Sequence, residues 1–296
     1  MSQISTNFLN YSSGLKTLSN FYHSASKQKV GLIAFAAITT VVVGFVAVRL
    51  LTGRCSQNYL CYSGKEVTSK KIEKDKFVTA FSVVNQDTIE AALDLRNNEK
   101  VPQEQMAILD MANENKPGGY YEDDTVHAQE EQLIRRSPGL LAQLQEAKKI
   151  RNPRDVDSKR TGYKQSFIPA DGCLFFKEVG FRQKKDDRHE AIKVATICSA
   201  ALDLATLISP PADYADQMKN KIRAILYSAY HNKKTDLVLG AFGCGMFLNS
   251  PEKVALFFHE VLTTEFKGVF RNVVFAVFDT RGITFSAFEK QFKNGV

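Results

Sequence analysis

The sequence contains no C-x-x-C pair, and its five cysteines (Cys55, Cys61, Cys173, Cys198 and Cys244) are odd in number. Paired-thiol metal sites need such spacings, and no set of His and Cys residues offers an alternative, so no resident metal is expected. Cys173, Cys198 and Cys244 fall in apolar runs and read as buried thiols of a reducing compartment, while Cys55 and Cys61 read as ordinary free cysteines. Long low-complexity stretches and internal repeats are missing as well, which points away from a disordered tether or a solenoid.

Acidic residues are scarce at one end. Residues 1–76 hold three of them against ten Lys and Arg, and so carry the whole formal net charge of +7; the other 220 residues hold 29 of each sign. A nucleic-acid groove places its basic excess on the folded domain, so no direct DNA binding is expected. Charge disappears altogether over the nineteen residues from Val30 to Val48. As a helix these extend roughly 28 Å, close to the thickness of a bilayer's hydrocarbon core. A signal peptide starts its apolar stretch nearer the terminus and closes on small residues, whereas here a polar stretch comes first and Arg49 follows. The predicted organisation is a polar tail at 1–29, a single transmembrane helix at 30–51, a basic juxtamembrane linker at 52–76 and a folded domain at 77–296. Basic residues flank the span almost evenly, so the positive-inside rule leaves its orientation open.

The folded part alternates short apolar runs with amphipathic stretches. Phe77–Val84, Met106–Met111, Cys173–Phe176, Leu237–Ala241 and Val273–Phe278 read as strands, and Ala191–Leu207 as a strand running into loop or helix. Helices are predicted from Asp87 or Thr88 to about Leu95, from near Gln129, over Ala215–Tyr230, and over Pro251–Leu262 with Ser250 as its cap. Residues 150–167 read as a surface loop. This order argues for an α/β sandwich with a mixed, largely parallel sheet, in which ligands sit beyond the carboxyl ends of the strands.

Two glycine-bearing loops follow such strands. The first runs Asn113-Glu114-Asn115-Lys116-Pro117-Gly118-Gly119-Tyr120-Tyr121 and reaches Gln129-Glu130-Glu131 at a helix start. Adjacent glycines let backbone N–H groups approach an anion, but a Gly-Gly turn is equally at home as a plain turn, and Glu in a first turn is an ordinary dipole partner. The second, Leu239-Gly240-Ala241-Phe242-Gly243-Cys244-Gly245-Met246-Phe247-Leu248-Asn249-Ser250-Pro251, has the strand–glycine loop–helix order of a phosphate cradle, or of a packing turn.

Taken together, in this order and on these elements, the loops resemble the microbial-type poly(ADP-ribose) glycohydrolases. That family's Gly-Gly-Gly and Gln-Glu-Glu are similar to Gly118-Gly119-Tyr120 and Gln129-Glu130-Glu131, and its Leu-Gly-Ala-x-Gly-Cys-Gly-x-Phe-x-Asn-x-Pro pattern matches the second loop. The resemblance implies a macrodomain-like three-layer α/β/α sandwich that hydrolyses ribose–ribose O-glycosidic bonds without metal or cofactor. Glu131 is then the catalytic acid/base and Glu130 holds ribose hydroxyls. Asn113 and Phe247 contact the distal ribose, Gly118 and Gly119 line the diphosphate, and the Gly243–Cys244–Gly245 backbone takes phosphate from the other side. Gln129, Tyr120 and Met246 complete the substrate contacts. The partners implied are ADP-ribose, its polymer and ADP-ribosylated proteins. An NAD-derived substrate and unpaired thiols place the domain of this single-pass membrane protein toward a cytosol.

The residue types suit that chemistry. Breaking a ribosyl–oxygen bond through an oxocarbenium-like state needs an acid for the leaving oxygen and a base for water, and one carboxyl can serve as both in turn. Adjacent helical side chains diverge by about 100°, which gives Glu130 and Glu131 different roles. Three departures stand out. Tyr120 takes the third glycine's place, where a left-handed backbone would strain it, or else walls the site with Tyr121. The acidic Glu122-Asp123-Asp124 sits beside a polyanion, and Asp110 stands where Asn is expected. The alternatives are a membrane-tethered ADP-ribose binder with weak or no catalysis, or a hydrolase of another ADP-ribosyl linkage.

Overall fold

The computed structural model describes residues 59–151, 166–205 and 207–293. The predicted tail at 1–29, the span at 30–51 and most of the loop at 150–167 lie outside the described residues. Among the described residues no helix is long and apolar enough to cross a membrane.

Seven strands, β1 (Leu60–Ser63), β2 (Ala80–Val84), β3 (Met106–Met111), β4 (Gly172–Phe181), β5 (Ile192–Ser199), β6 (Asp236–Leu239) and β7 (Asn272–Ala276), join one sheet in the order β1-β4-β5-β3-β6-β7-β2. Pairings from β5 through β2 are all parallel, while β4 runs antiparallel to both β5 and β1. Alternate strand residues point to opposite faces, and the core divides accordingly. Ala107, Leu109, Leu237, Leu239, Val273 and Phe275 pack with α4 (Tyr214–His231), α5 (Pro251–Thr264) and α6 (Ile283–Lys293). Met106, Ile108, Val238 and Val274 pack with α1 (Thr88–Asn97), α2 (Gln129–Arg136) and α3 (Pro138–Arg151). Two helical layers thus enclose a mixed sheet, and strands buried on both faces read as continuous apolar runs.

Helix starts obey local rules. Asp87 caps α1, its Oδ1 accepting from Ile89 N at 2.8 Å and Glu90 N at 3.1 Å. The same carboxylate takes both Nη groups of Arg136 at 2.9 Å, tying the start of α1 to the end of α2. Ser250 caps α5 with Pro251 in its first turn. In α4 the predicted stripe Met218, Ile222, Ile225, Leu226 and Ala229 is fully buried.

The linker expected at 52–76 needs correction within its described part. Leu60–Ser63 is the edge strand β1, registered Leu60↔Phe175 to Ser63↔Gly172, and a short helical turn, Gly64–Val67, follows it against α4. Gly64 is required there, because a Cβ would lie 1.7 Å from the Asn220 carbonyl oxygen. The charge-dense run from Lys65 onward obscures four strand residues whose partners lie more than a hundred positions away. Conversely, the strand predicted from Phe77 begins only at Ala80, and Val78 is exposed.

Candidate active site

β3, β6 and β7 run parallel, so the loops leaving their carboxyl ends converge. A Cβ on Gly240 would lie 3.2 Å from Met111 Cε and 3.4 Å from Ala276 O, which places the roots of all three loops side by side.

The first loop is laced to α2 by the helix's own first three side chains. Gln129 Oε1 accepts from Met111 N at 2.9 Å, and its Nε2 donates to Leu109 O at 2.6 Å and to Thr88 Oγ1 at 3.1 Å. Every polar atom of that amide is thus engaged by protein, and Gln129 anchors α2 to β3. Glu130 Oε2 accepts from Asn113 N at 2.7 Å and Oε1 from Gly118 N at 2.9 Å. Glu131 Oε1 accepts from Tyr120 N at 2.9 Å, while its buried Oε2 has no partner among the described residues. Asn113 Oδ1 accepts from Asn115 N and Lys116 N at 2.9 Å each, closing an Asx turn ahead of the glycines.

Gly118 (φ 78°) and Gly119 (φ 59°) are both left-handed. A Cβ on Gly119 would also fall 2.2 Å from Glu131 Oε1, so this position excludes side chains on two grounds. Tyr120 is outside the left-handed region, and the strain anticipated for the missing third glycine is absent. Its ring is 58 % exposed, with Lys116 Nζ 4.3 Å from the centroid. The acidic insert points to solvent among counter-ions, Glu122 facing Lys116 at 3.9 Å and Asp124 facing Arg135 and Lys185 at 3.8 Å. Arg135, unremarked in the sequence, clamps that segment through the carbonyls of Tyr121, Asp123 and Val126.

Burial dominates the electrostatics. It raises Glu130 well above the usual carboxylate range, with Asp110 adding to the rise and the N–H donors of Asn113 and Gly118 opposing it. It raises Asp110 to about 7, opposed by the Cys198 thiol and assisted by Glu131.

The second loop is organised differently. Gly243 is left-handed at φ 74°, and a Cβ there would lie 2.4 Å from Ala201 Cβ and 2.6 Å from Asn249 Nδ2. Asn249, buried and overlooked as a site residue, pins the loop: its Nδ2 reaches Leu202 O at 2.8 Å and Gly243 O at 3.0 Å, and its Oδ1 accepts from Tyr214 OH at 2.9 Å. Among the described residues nothing accepts from the backbone N–H of Gly245, Met246 or Phe247, and a Cβ on Gly245 would meet nothing within 4 Å. Three successive donors are therefore left without a protein acceptor, as an anion cradle requires. Phe247 is half-buried against the core, whereas Met246 and Leu248 are exposed. Cys244 is half-buried, less enclosed than its apolar neighbours suggest, and burial pushes its thiol up to about 12. Phe278, read only as the end of a strand, stands 72 % exposed just past β7. A separate cavity of about 430 Å³, lined by Arg136, Arg182, Arg188 and His189, opens where β4 ends and β5 begins.

Fold and site define an α/β domain that holds two buried glutamates in one strand-end loop system and three backbone N–H groups without protein acceptors in the next. The chain belongs to the microbial-type PARG catalytic domain family, whose model matches residues 21–178 and so includes the first loop. It is similar in structure to poly(ADP-ribose) glycohydrolase from Deinococcus radiodurans in complex with ADP-ribose, with TM-score 0.67 and 26% identity over 81% of this chain and 96% of that one. It is likewise similar to the Thermomonospora curvata glycohydrolase, with TM-score 0.66 and 27% identity over 79% of this chain and 85% of that one. No curated protein matches the chain. The family read from the two motifs is thus confirmed, as is the α/β fold with a mixed sheet.

Proposed function

We propose that this protein cleaves the ribose–ribose bonds of poly(ADP-ribose) and releases ADP-ribose, with Glu131 as the acid/base. The observation that carries this reading is the asymmetry of the two glutamates. Both Glu130 oxygens already accept backbone N–H bonds, whereas Glu131 keeps Oε2 without a protein partner. Glu130 thereby shapes the loop and offers ribose hydroxyls only its remaining lone pairs. Glu131 is positioned by Tyr120 N through one oxygen and retains the other for proton transfer.

In the reaction, the diphosphate lies on the N–H groups of Gly245, Met246 and Phe247, and Phe247 packs on the distal ribose. Exposed Phe278 offers a face for the adenine. Glu131 gives its proton to the departing ribosyl oxygen as the anomeric bond breaks. The resulting carboxylate takes a proton from the water that adds to the anomeric carbon, which restores the acid. Residues 30–51 tether the enzyme to a membrane with this domain toward a cytosol, a placement supported by the uncharged stretch Val30–Val48 and by the free thiols Cys173 and Cys198.

The test is release of ADP-ribose from auto-modified acceptor protein by the full chain and by Glu131→Gln. The variant is expected to lose turnover by about 10²- to 10⁴-fold while still binding ADP-ribose. Binding without turnover in the parent would make the protein an ADP-ribose-binding module instead.

A further inference from the structure

A third carboxyl lies at this end of the sheet. Asp110 is fully buried next to the end of β3 and shares the parity of Met106 and Ile108, so it faces the layer of α1, α2 and α3. Its register partner on β5 is Cys198, whose buried thiol lies beside it without closing a hydrogen bond. Among the described residues neither Asp110 oxygen accepts from nitrogen or from a hydroxyl. The titratable groups that bear on it are Cys198 from β5 and Glu131 and Glu130 from α2; its neighbours on β3, Leu109 and Met111, carry no charge. Toward α1, the Thr88 hydroxyl accepts from Gln129 Nε2 and makes no hydrogen bond to Asp110. No Lys, Arg or His is among the groups acting on Asp110.

An ion buried without a cation or N–H donors is costly, and a like charge alongside adds to the cost. Glu130 and Glu131 do have N–H donors, from Asn113, Gly118 and Tyr120. Of the three carboxyls, Asp110 is the one with no hydrogen-bond donor to hold a negative charge. We propose that Asp110 is a positioning residue for the glutamate pair: as a neutral acid it lets Glu130 and Glu131 stay seated on those N–H groups, and its ionisation displaces them. The consequence for turnover rests on the glycohydrolase reading, whereas the proton on Asp110 does not.

Burial raises Asp110 from 3.8 to about 7, so the change falls in the neutral range. The sign follows from linkage. The unfolded chain ionises this group first, so the folded state loses stability as pH climbs through that interval and stays at the lower level above it. Asparagine keeps the shape and cannot ionise.

The experiment compares the full chain with Asp110→Asn in thermal unfolding and in ADP-ribose release across pH. Wild-type turnover is expected to fall about tenfold per pH unit above its midpoint, and Asp110→Asn to shift or abolish that limb. The unfolding midpoint of the variant should exceed that of the wild type by more at about pH 8.5 than at about pH 5.5. Superimposable alkaline limbs, or a midpoint difference that does not change with pH, would overturn the proposal. If Asp110→Asn does not fold, ¹³C-carboxyl NMR of aspartate-labelled wild type decides. One aspartate titrating near neutrality supports the assignment, and full ionisation of every aspartate at about pH 6 sinks it. A chain that releases no ADP-ribose at any pH refutes the glycohydrolase reading, and the unfolding difference then still judges the proton.

Discussion

The two loops that meet at the carboxyl ends of β3 and β6 solve opposite problems. In the first, backbone N–H groups of Asn113, Gly118 and Tyr120 are satisfied by glutamates of the following helix. In the second, one side chain, Asn249, holds the loop by its carbonyls and leaves three consecutive N–H groups without protein acceptors. The first loop has its donors satisfied by carboxyl groups and keeps a spare acceptor on Glu131; the second is uncharged and donor-rich. The proposed reaction on a polyanion uses both, because donors placed for diphosphate in one loop leave the carboxyl groups of the other available for proton chemistry.

Gly119→Ala should break the first loop most severely. It sets a Cβ against Glu131 Oε1, where only 2.2 Å is available, and forces an alanine to φ 59°. Turnover is expected to fall at least about 10²-fold as the acid is displaced, with affinity for ADP-ribose changing much less. Steady-state kinetics alongside calorimetric binding measure the split, and an equal loss in both would mean that the glycines act on the ligand and not on the glutamate.

Asn249→Ala attacks the second loop. It leaves the Leu202 carbonyl and the Tyr214 hydroxyl without their buried partner, and Gly243 O with the backbone N–H of residue 249 alone. Roughly 2–4 kcal/mol of stability should be lost, on the scale of a few unsatisfied buried groups. ADP-ribose affinity should fall about tenfold or more as the three N–H groups lose their common orientation. Denaturant unfolding reports the first quantity and calorimetry the second; intact affinity in a destabilised variant would detach the cradle from the ligand.

These contrasts also mark what the sequence made legible. Strands such as Met106–Met111 and Asn272–Ala276 are short apolar runs whose signal is local, and the caps Asp87 and Ser250 are visible within four residues. The Gly-Gly turn and the Gln-Glu-Glu helix start could be paired by motif, and their joint geometry is as compact as the spacing implies. Long-range partnerships were not legible. β1 finds its mate across more than a hundred residues, Gln129 turns back to β3, and Asn249 and Arg135 act mainly on backbone carbonyls that the fold brings to them. Hydrogen bonds to carbonyls leave no residue pattern at the accepting end, so these clamps are apparent only in three dimensions.

The smallest expected effect sharpens the comparison most. If the first loop needed three left-handed residues, Tyr120→Gly would restore a missing element and raise turnover substantially. Tyr120, however, lies outside the left-handed region, and its contribution to the site is a backbone N–H that glycine supplies equally well. Its ring is mainly exposed, with Lys116 above it, so removing it gives up at most about 0.5–1 kcal/mol of cation–π contact. Added backbone freedom in the unfolded chain costs a similar amount. Turnover of Tyr120→Gly should therefore stay within about threefold of the parent, with stability slightly lower. A rise of tenfold or more on the polymer would show that the ring obstructs the substrate path, and that the loop is held open less by its own hydrogen bonds than by the absence of side chains.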